Sequence, residues 1–196
     1  ILGVLLALAL FMLLPSMGVK LIADYIPSWS RSLVEGVVKI GIFLIYVALV
    51  SRMEEIRRTF EYHGAEHKTI FCYEAGLELT VENVRGMSRF HPRCGTSFLL
   101  IAMVVSILFF ALPIVTWDNV LLRMATKLLL LPFVVGVAYE FIHLAGKYDN
   151  VFTRVLSAPG LWLQRLTTKE PDDSQIEVAI ASMRPVLTGN PEDDKW

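Results

Sequence analysis

Long apolar runs alternate with polar segments along the chain. Phe98–Trp117 contains no charged side chain, and Leu128–Ala145 is interrupted by only one acidic residue and one histidine. Leu33–Val50 is a third apolar run, and Ile1–Leu14 is a shorter one. Because a helix needs about 20 mostly apolar residues to cross a bilayer, we predict about four transmembrane helices, the first of them truncated. A cleaved signal peptide is the alternative for the first run, although no basic region precedes it.

Basic residues are concentrated in two polar segments of the chain. Residues 51–96 contain seven Lys and Arg, and residues 146–196 contain six. Since cytoplasmic connections carry an excess of Lys and Arg, both segments are predicted to face the cytoplasm. The predicted fold is an all-α, polytopic membrane protein with a helical cytoplasmic portion. Its parts are transmembrane helices over 1–50, a cytoplasmic helical segment over 51–96, transmembrane helices over 97–145, and a cytoplasmic interfacial and amphipathic segment over 146–196.

Local signals divide residues 51–96 further. Residues 51–74 contain one glycine and no proline, which predicts a helix continuing out of the second span. Thr80 is followed two positions later by the acidic residue Glu82 and predicts the start of a short helix. Residues 91–96 contain a proline and a glycine, so we expect a turn that leads into the third span.

The C-terminal segment contains a predicted break and a predicted helix. Residues 157–160, Ser-Ala-Pro-Gly, are expected to interrupt the chain. The apolar residues 161–166 beside Arg165 are typical of an interfacial segment with Trp162 at the headgroup level. A last amphipathic helix is predicted after Pro171, and its apolar face needs a partner, which is either the 51–96 segment or the membrane surface.

Composition excludes several classes of protein. Hydrophobic residues make up 55% of the chain and charged residues 19%. Soluble domains, by comparison, are about 25% charged. A disordered chain, a disulfide scaffold and an ordinary soluble enzyme are therefore excluded. The net charge of −1 gives no reason to expect a nucleic-acid partner.

The chain has two cysteines, Cys72 and Cys94. They form no CxxC pair, so neither a redox motif nor a secreted disulfide framework is indicated. We expect both to be free thiols on the reducing, cytoplasmic side of the membrane.

The strongest candidate for chemistry is the pattern His63-x-x-Glu66-His67. On a helix, residues three and four positions apart lie on one face. Both imidazoles could then bind one metal ion with the carboxylate beside them. The pattern is the HxxEH motif, the reverse of the HExxH motif of zinc peptidases, in which the two histidines bind zinc and the glutamate activates a water. The alternative is two surface histidines on an amphipathic helix.

A catalytic zinc site needs a third protein ligand and an open position. His91 and Cys94 lie in the predicted turn before the third span, and the alternative is that they form a helix cap and a small buried side chain. Glu140 lies within the fourth span, where a carboxylate is costly unless it is paired. His143 lies one turn further on the same face. An ion pair with a basic residue of the 51–96 segment is the alternative role of Glu140.

Several motifs resemble the YqhQ-like family of bacterial membrane proteins, which is described as a family of predicted metal-dependent enzymes. The matching residues are Glu61–Lys68, Leu79–Asn83, Arg89–Ser97, Tyr139-Glu140, Ala158–Gln164 and Glu170–Ala179. The resemblance covers nearly the whole chain. It implies an integral membrane protein of the bacterial inner membrane with a metal site near His63, Glu66 and His67. It also implies that His91, Cys94 and Glu140 are members of that site.

Two functions are compatible with these motifs. The first is a zinc-dependent hydrolase at the cytoplasmic membrane interface, with zinc bound by His63 and His67 and with Glu140 or His91 as the third ligand. Glu66 would be the base, and the substrate a lipid headgroup or a membrane-protein segment. Membrane lipids and membrane proteins are the expected partners. The second is a scaffold or a quality-control factor for membrane proteins, with a structural site of four ligands: His63, His67, His91 and Cys94. A transporter is less compatible, since four spans with one buried acid form a poor pathway.

Overall fold

The computed structural model describes residues 1–22, 24–27, 30–112, 120–148 and 150–188, and these residues form helices and loops without a β-strand. The all-α prediction is therefore confirmed for this part of the chain. The helices are α1 (Leu2–Leu8), a π-helical stretch (Ala9–Leu13), α2 (Leu14–Leu21), α3 (Arg31–Val50), α4 (Glu54–Glu74), α5 (Val81–Arg85), α6 (Gly95–Phe110), α7 (Val120–Lys147), α8 (Val151–Thr167), α9 (Asp173–Met183) and a short 3-10 turn (Arg184–Val186).

The first of two compact units contains residues 1–46 and 98–141. Within it, α3 and α6 pack closely at Gly36, because a side chain there would collide with the side chain of Ile107. Glu35 and Lys39, one turn apart on α3, form an ion pair of 2.8 Å, as their spacing suggests. Few of the described large apolar side chains of α3 and α7 are buried in a core.

Two helices in the described part of the chain are long and apolar enough to cross a membrane, by length and composition alone. They are α3 and residues 125–147 of α7. Residues 5–21 and α6 form shorter apolar helices. The predicted third span continues to Trp117, and residues 113–119 lie outside the described residues. The count of four spans therefore stays a prediction.

The second unit contains residues 47–97 and the chain from residue 142 onwards. Its core joins α4, α5 and α9 through six buried side chains: Ala65, Cys72, Val84, Ile176, Ala179 and Ile180. The N-terminus of α9 is fixed by Asp172 and Gln175, whose side chains each accept a backbone N–H of the other residue. The amphipathic face of α9 thus packs on the 51–96 segment, which is one of the two partners that the sequence left open.

The predicted continuous helix over 51–74 is wrong at its start. α3 ends at Val50, a turn follows, and α4 begins at Glu54 after Met53 in an extended conformation. The Ser51 hydroxyl donates to the Ala48 carbonyl at 3.0 Å and so competes for the acceptors of the last helical turn. Acidic residues in the first turn of α4 then favour a new helix, because they complement its N-terminal dipole.

The predicted interruption at residues 157–160 is also wrong. α8 runs through Pro159 and Gly160 without a break. Gly160 packs directly on the Ser97 side chain, where a Cβ would not fit. One face of α8 is buried at helical spacing along its length, and such tertiary packing outweighs the low helix propensity of two residues. The apolar residues after Gly160 are consequently the last turns of one longer helix.

An extended segment links α8 to α9 and crosses α4. This crossing segment, residues 168–172, donates the Lys169 N–H to the Phe60 carbonyl at 2.8 Å. The contact occurs beside Gly64, where a Cβ would collide with the Lys169 carbonyl oxygen. Only glycine allows the two backbones to approach so closely.

Ion pairs hold the crossing segment and the start of α9 on α4 and on residues 85–89. Glu170 pairs with Lys68 at 2.9 Å and with Arg89 at 3.1 Å. Arg85 forms a two-pronged contact with Asp173, at 2.6 and 3.1 Å. The basic positions that recur every four residues in this region are therefore matched by carboxylates of the same unit.

Candidate metal centre

The two histidines of the HxxEH motif lie side by side on α4. The centroids of the His63 and His67 rings are 4.4 Å apart, with the rings in an edge-to-face arrangement. The predicted helix over this region and the shared helical face are therefore confirmed. Spacing of four residues places both side chains over the same stretch of helix surface, so that one ion could contact both.

Cys94 joins the two histidines from the turn before α6. Its Sγ lies 3.3 Å from His63 Nε2 and 3.1 Å from the Thr96 hydroxyl. The metal-binding atoms of His63, His67 and Cys94 all lie within 4.8 Å of one another. Residues 31 positions apart are thus brought together, and they form one potential site with two nitrogen ligands and one sulfur ligand.

Backbone carbonyls fix the orientation of both imidazoles. His63 Nδ1 donates to the Thr167 carbonyl at 2.8 Å, and His67 Nδ1 donates to the Arg89 carbonyl at 2.6 Å. A carbonyl can only accept a hydrogen bond, so in each neutral ring the proton resides on Nδ1 and the lone pair on Nε2. Metal-binding histidines almost always hold their second nitrogen in this way.

A buried glutamine fixes the turn that carries Cys94. The Gln164 side chain is fully buried on α8. Its Oε1 accepts the His91 N–H at 2.8 Å, while its Nε2 donates to the His91 carbonyl and to the Ser97 hydroxyl, both at 2.7 Å. Since these contacts lie on both sides of Cys94, the position of its sulfur depends on a side chain that follows His91 by 73 positions in the chain.

The environment of Cys94 favours the thiolate that a metal ion binds. Burial alone would raise the pKa of the thiol, but hydrogen bonds with His63, His67 and Thr96 outweigh it and lower the pKa from 9.0 to about 5. Burial also opposes charge on His63, yet its bonds to Cys94 and to the Thr167 carbonyl raise the pKa of that imidazole. By contrast, burial raises the pKa of Cys72, which lies in the apolar core.

His91 lies beside the three converging ligands rather than among them. Its ring centroid is 5.7 Å from that of His67. Its Nδ1 accepts the Arg93 N–H at 3.3 Å, and its Nε2 lies 3.5 Å from a Glu74 oxygen without a hydrogen bond in the described part of the chain. Burial, together with the neighbouring His67, lowers the pKa of His91 to about 4 and keeps the ring neutral. Glu74 is also paired with Arg93.

The two carboxylates predicted for the site, Glu66 and Glu140, belong to different units of the chain. Glu66 is exposed on α4, and its negative charge contributes to the raised pKa of His63. It also borders a groove between α4 and α9 of about 400 Å³. Glu140 is an exposed residue of α7 in the first unit, whereas His63, His67 and Cys94 belong to the second. The roles of Glu66 as base and of Glu140 and His91 as ligands stay predictions.

The three converging residues fit a zinc ion. In tetrahedral zinc sites the metal lies about 2.0–2.1 Å from nitrogen and about 2.3 Å from sulfur, so neighbouring ligand atoms are about 3.4–3.6 Å apart. The distance of 3.3 Å between His63 Nε2 and Cys94 Sγ is close to that value, and all three ligand atoms lie within 4.8 Å of one another. Two imidazoles and a thiolate are also ligands that zinc prefers. A tetrahedral ion bound by these three residues would keep one position for a water or a substrate.

Several residues that shape the site belong to no recognisable motif in the sequence. The Thr167 and Arg89 carbonyls orient the histidines, Gln164 holds the cysteine turn, and Gly64 admits the crossing segment. A glycine between the two histidines of a helix was the one local signal, because glycine lowers helix stability and needs a packing reason. Every residue has a backbone carbonyl, so the sequence does not show which carbonyls accept hydrogen bonds from the histidines.

Comparison with known proteins agrees with the motifs. The model of the family described as "Protein of unknown function (DUF1385)" matches residues 1–189. The chain is 44% identical over 155 residues to "Uncharacterized protein YqhQ" of Bacillus subtilis (strain 168), a match that covers 79% of this chain and 48% of that protein. The chain therefore spans about half the length of that relative. No solved structure matches the chain significantly. On both matches, the chain belongs to the YqhQ-like family, whose model carries the description of a protein of unknown function.

Proposed function

We propose that this protein is a zinc-dependent hydrolase of the bacterial inner membrane, with its metal centre at His63, His67 and Cys94. The observation that carries the proposal is the convergence of these three side chains within 4.8 Å, with both Nδ1 atoms held by backbone carbonyls. Three protein ligands and an open position are typical of catalytic zinc sites, whereas structural sites have four protein ligands. His91, whose ring lies beside that of His67, is the candidate for a further contact to the ion, and Glu140 as a ligand stays a prediction from the sequence.

In this hydrolase, different residues would bind the metal, accept the proton and hold the ligands. His63 and His67 would bind the ion through Nε2, and Cys94 would bind it as a thiolate. Zinc supplies Lewis acidity and lowers the pKa of a bound water toward about 7. Glu66, one turn from His63 and exposed, would accept the proton of that water and later transfer it to the leaving group. Gln164 and the backbone carbonyls of Thr167 and Arg89 would hold the three ligands in place.

The membrane placement rests on α3 and α7. Both have the length and composition of membrane-spanning helices, and few of their described large apolar side chains are buried. We propose a multi-pass protein with about four spans, in which residues 51–96 and 146–196 face the cytoplasm. The excess of Lys and Arg in these two segments supports that orientation. The substrate would then be a lipid headgroup or a polypeptide at the membrane surface.

Metal analysis of the purified protein tests the site. We expect about one zinc per chain, lost in His63→Ala and in Cys94→Ser. Cys72→Ser is the matched control, because Cys72 is the other buried cysteine and lies in the apolar core. Glu140→Gln tests the predicted further ligand. Unchanged zinc content in both His63→Ala and Cys94→Ser would refute the metal centre.

The role of Glu66 needs a separate measurement. Glu66→Gln should keep its zinc and lose turnover by about 100-fold or more, as expected for a general base. The assay would monitor, by mass spectrometry, the products released from membrane lipids and from reconstituted membrane proteins. Equal turnover in the parent protein and in Glu66→Gln would exclude the carboxylate as the base.

A structural metal site is the second candidate, and burial favours it. His67 and Cys94 each expose only 4% of their surface, which is more typical of a closed site than of an open one. In that case the protein would act as a scaffold or a quality-control factor, with a fourth ligand completing the site. Cobalt substitution distinguishes the two: added cyanide changes the cobalt spectrum only if a coordination position is open.

A further inference from the structure

α8 has two faces of unusual composition. Its buried face consists mainly of small or polar residues: Thr153, Ser157, Gly160, Leu163, Gln164 and Thr167. Its outer face carries large apolar side chains that are exposed by 51–78%: Val151, Phe152, Val155 and Trp162. Three of these, Val151, Val155 and Trp162, follow one another at spacings of four and seven residues, so they form one stripe along the helix.

This distribution is the reverse of the pattern in a soluble protein. A helix on the surface of a soluble protein buries its apolar stripe and turns its polar residues to water. Single exposed apolar residues are common, but a continuous apolar patch marks a surface that binds a partner or a membrane. Trp162 and Phe152 strengthen the case for a membrane, since large aromatic side chains favour the headgroup boundary.

The charged residues of α8 indicate which kind of membrane surface its outer face would bind. The helix contains Arg154 and Arg165 and no acidic residue. The two arginines are 11 positions apart, which places them on the same flank of the helix, beside the apolar stripe. Both are exposed. An apolar stripe with arginines along its edge matches a bilayer surface that contains anionic lipids.

The position of α8 in the chain supports the same partner. α7, one of the two described helices long enough to cross a membrane, ends at Lys147, and α8 begins only four positions later at Val151. If α7 spans the bilayer, α8 begins at its surface. Lys147 adds a third basic side chain at this point.

We propose that the outer face of α8 lies on the anionic cytoplasmic surface of the bilayer, with Trp162 and Phe152 at the headgroup level. The proposal rests on the membrane placement proposed above. The opposite face of the same helix carries Gln164 and Thr167, which hold Cys94 and His63. Because a helix with its side chains is about 10–12 Å wide, the metal centre would lie about one helix diameter from the lipid surface.

Fluorescence quenching in vesicles tests this surface directly. The chain has four tryptophans, and substitution of Trp29, Trp117 and Trp196 by Phe leaves Trp162 as the single reporter. The full-length protein would be reconstituted into vesicles of phosphatidylglycerol and phosphatidylcholine brominated near the headgroup. The control reporter is Val178→Trp with Trp162→Phe, because position 178 on α9 is exposed to the same extent, 52% against 51%.

We expect the bromolipid to quench Trp162 at least about twofold more strongly than Trp at position 178. Arg154→Gln and Arg165→Gln should each shift the docking equilibrium by about fivefold, and only in vesicles with anionic lipid. Equal quenching at the two positions would overturn the proposal. So would protection of Trp162 from both bromolipid and aqueous acrylamide at high protein density, which would indicate a second copy of the chain.

Zinc analysis on the same samples separates the two proposals. Retained zinc with weak quenching of Trp162 would refute the lipid-facing surface and leave the metal centre intact. Strong quenching in a protein that binds no zinc would refute the metal centre and support the surface. Neither measurement depends on a known substrate.

Discussion

Replacement of Gly64 by alanine perturbs the site without touching a proposed ligand. The added Cβ would collide with the Lys169 carbonyl, which is part of the backbone and cannot turn away as a flexible side chain could. The crossing segment must therefore lift from α4. Two contacts are lost as the crossing segment and the adjoining end of α8 move: the bond of 2.8 Å between Lys169 and Phe60, and the bond of 2.8 Å between His63 and the Thr167 carbonyl.

The size of the effect follows from these contacts. Overpacking against backbone costs about 1–3 kcal/mol, and each lost hydrogen bond costs about 1 kcal/mol. The higher helix propensity of alanine offsets this cost by about 1 kcal/mol. The free energy of unfolding should therefore fall by about 2–4 kcal/mol. Loss of the bond that orients His63 should in addition weaken zinc binding by about 10- to 100-fold.

Zinc affinity would be measured by competition with a chelating dye, and stability by thermal unfolding in detergent. Gly41→Ala is the matched control, since Gly41 also lies inside a helix but has no atom within 4 Å of an added Cβ. That variant should unfold at or above the temperature of the parent protein and bind zinc equally well. If Gly64→Ala behaved like Gly41→Ala in both assays, the crossing segment would not support the metal centre.

The ionisation of Cys94, the support from Gln164 and the orientation of residues 51–96 can each be measured. In protein freed of zinc, the ultraviolet absorbance of the thiolate should disappear as the pH falls through about 5, because the pKa of Cys94 is lowered. At neutral pH this absorbance should be absent in Cys94→Ser and present in Cys72→Ser, since burial raises the pKa of Cys72. Since the folded pKa lies below the ordinary value of 9.0, this thiolate stabilises the fold fully above about pH 9 and loses its contribution as pH falls through about 5. Gln164→Leu should lower the free energy of unfolding by about 3–5 kcal/mol, because it leaves buried polar groups of the turn unpaired, and thermal unfolding with dye competition would also show weaker zinc binding. A cysteine placed at Arg85 should resist membrane-impermeant reagents in intact cells, and labelling there would refute the cytoplasmic orientation of residues 51–96.

Local patterns predicted the parts of the site that a single helix or turn determines. The i, i+4 spacing of His63 and His67 fixed their common face, and Pro92 and Gly95 predicted the turn that carries Cys94. The sequence identified Cys94 as a candidate, but only the packed structure shows that its sulfur lies beside His63. The order of the chain alone does not decide which of several distant side chains reaches an ion.

Contacts between distant residues explain what the patterns missed. The turn at Ser51 depends on a hydroxyl that bonds the preceding helix, and α8 continues through Pro159 because its opposite face is buried. Arg85 and Arg89 lie one helical turn apart in the sequence, yet their partners, Asp173 and Glu170, lie 88 and 81 positions later. A periodic pattern predicts which residues share a helix face, but it does not predict which distant residues contact that face.

The C-terminal end of α8 also sets the time at which the centre can be completed during synthesis. The Thr167 carbonyl that orients His63 lies 104 residues after it in the chain. At about 5–20 residues per second, a ribosome adds that stretch in about 5–20 s. During this interval His63 lacks the Thr167 carbonyl that orients it, and Cys94 lacks the glutamine that fixes its turn. A metal ion captured in this interval would meet mobile ligands, so stable loading belongs to the finished chain, and a protein clipped before residue 167 would have the three ligands but not the centre.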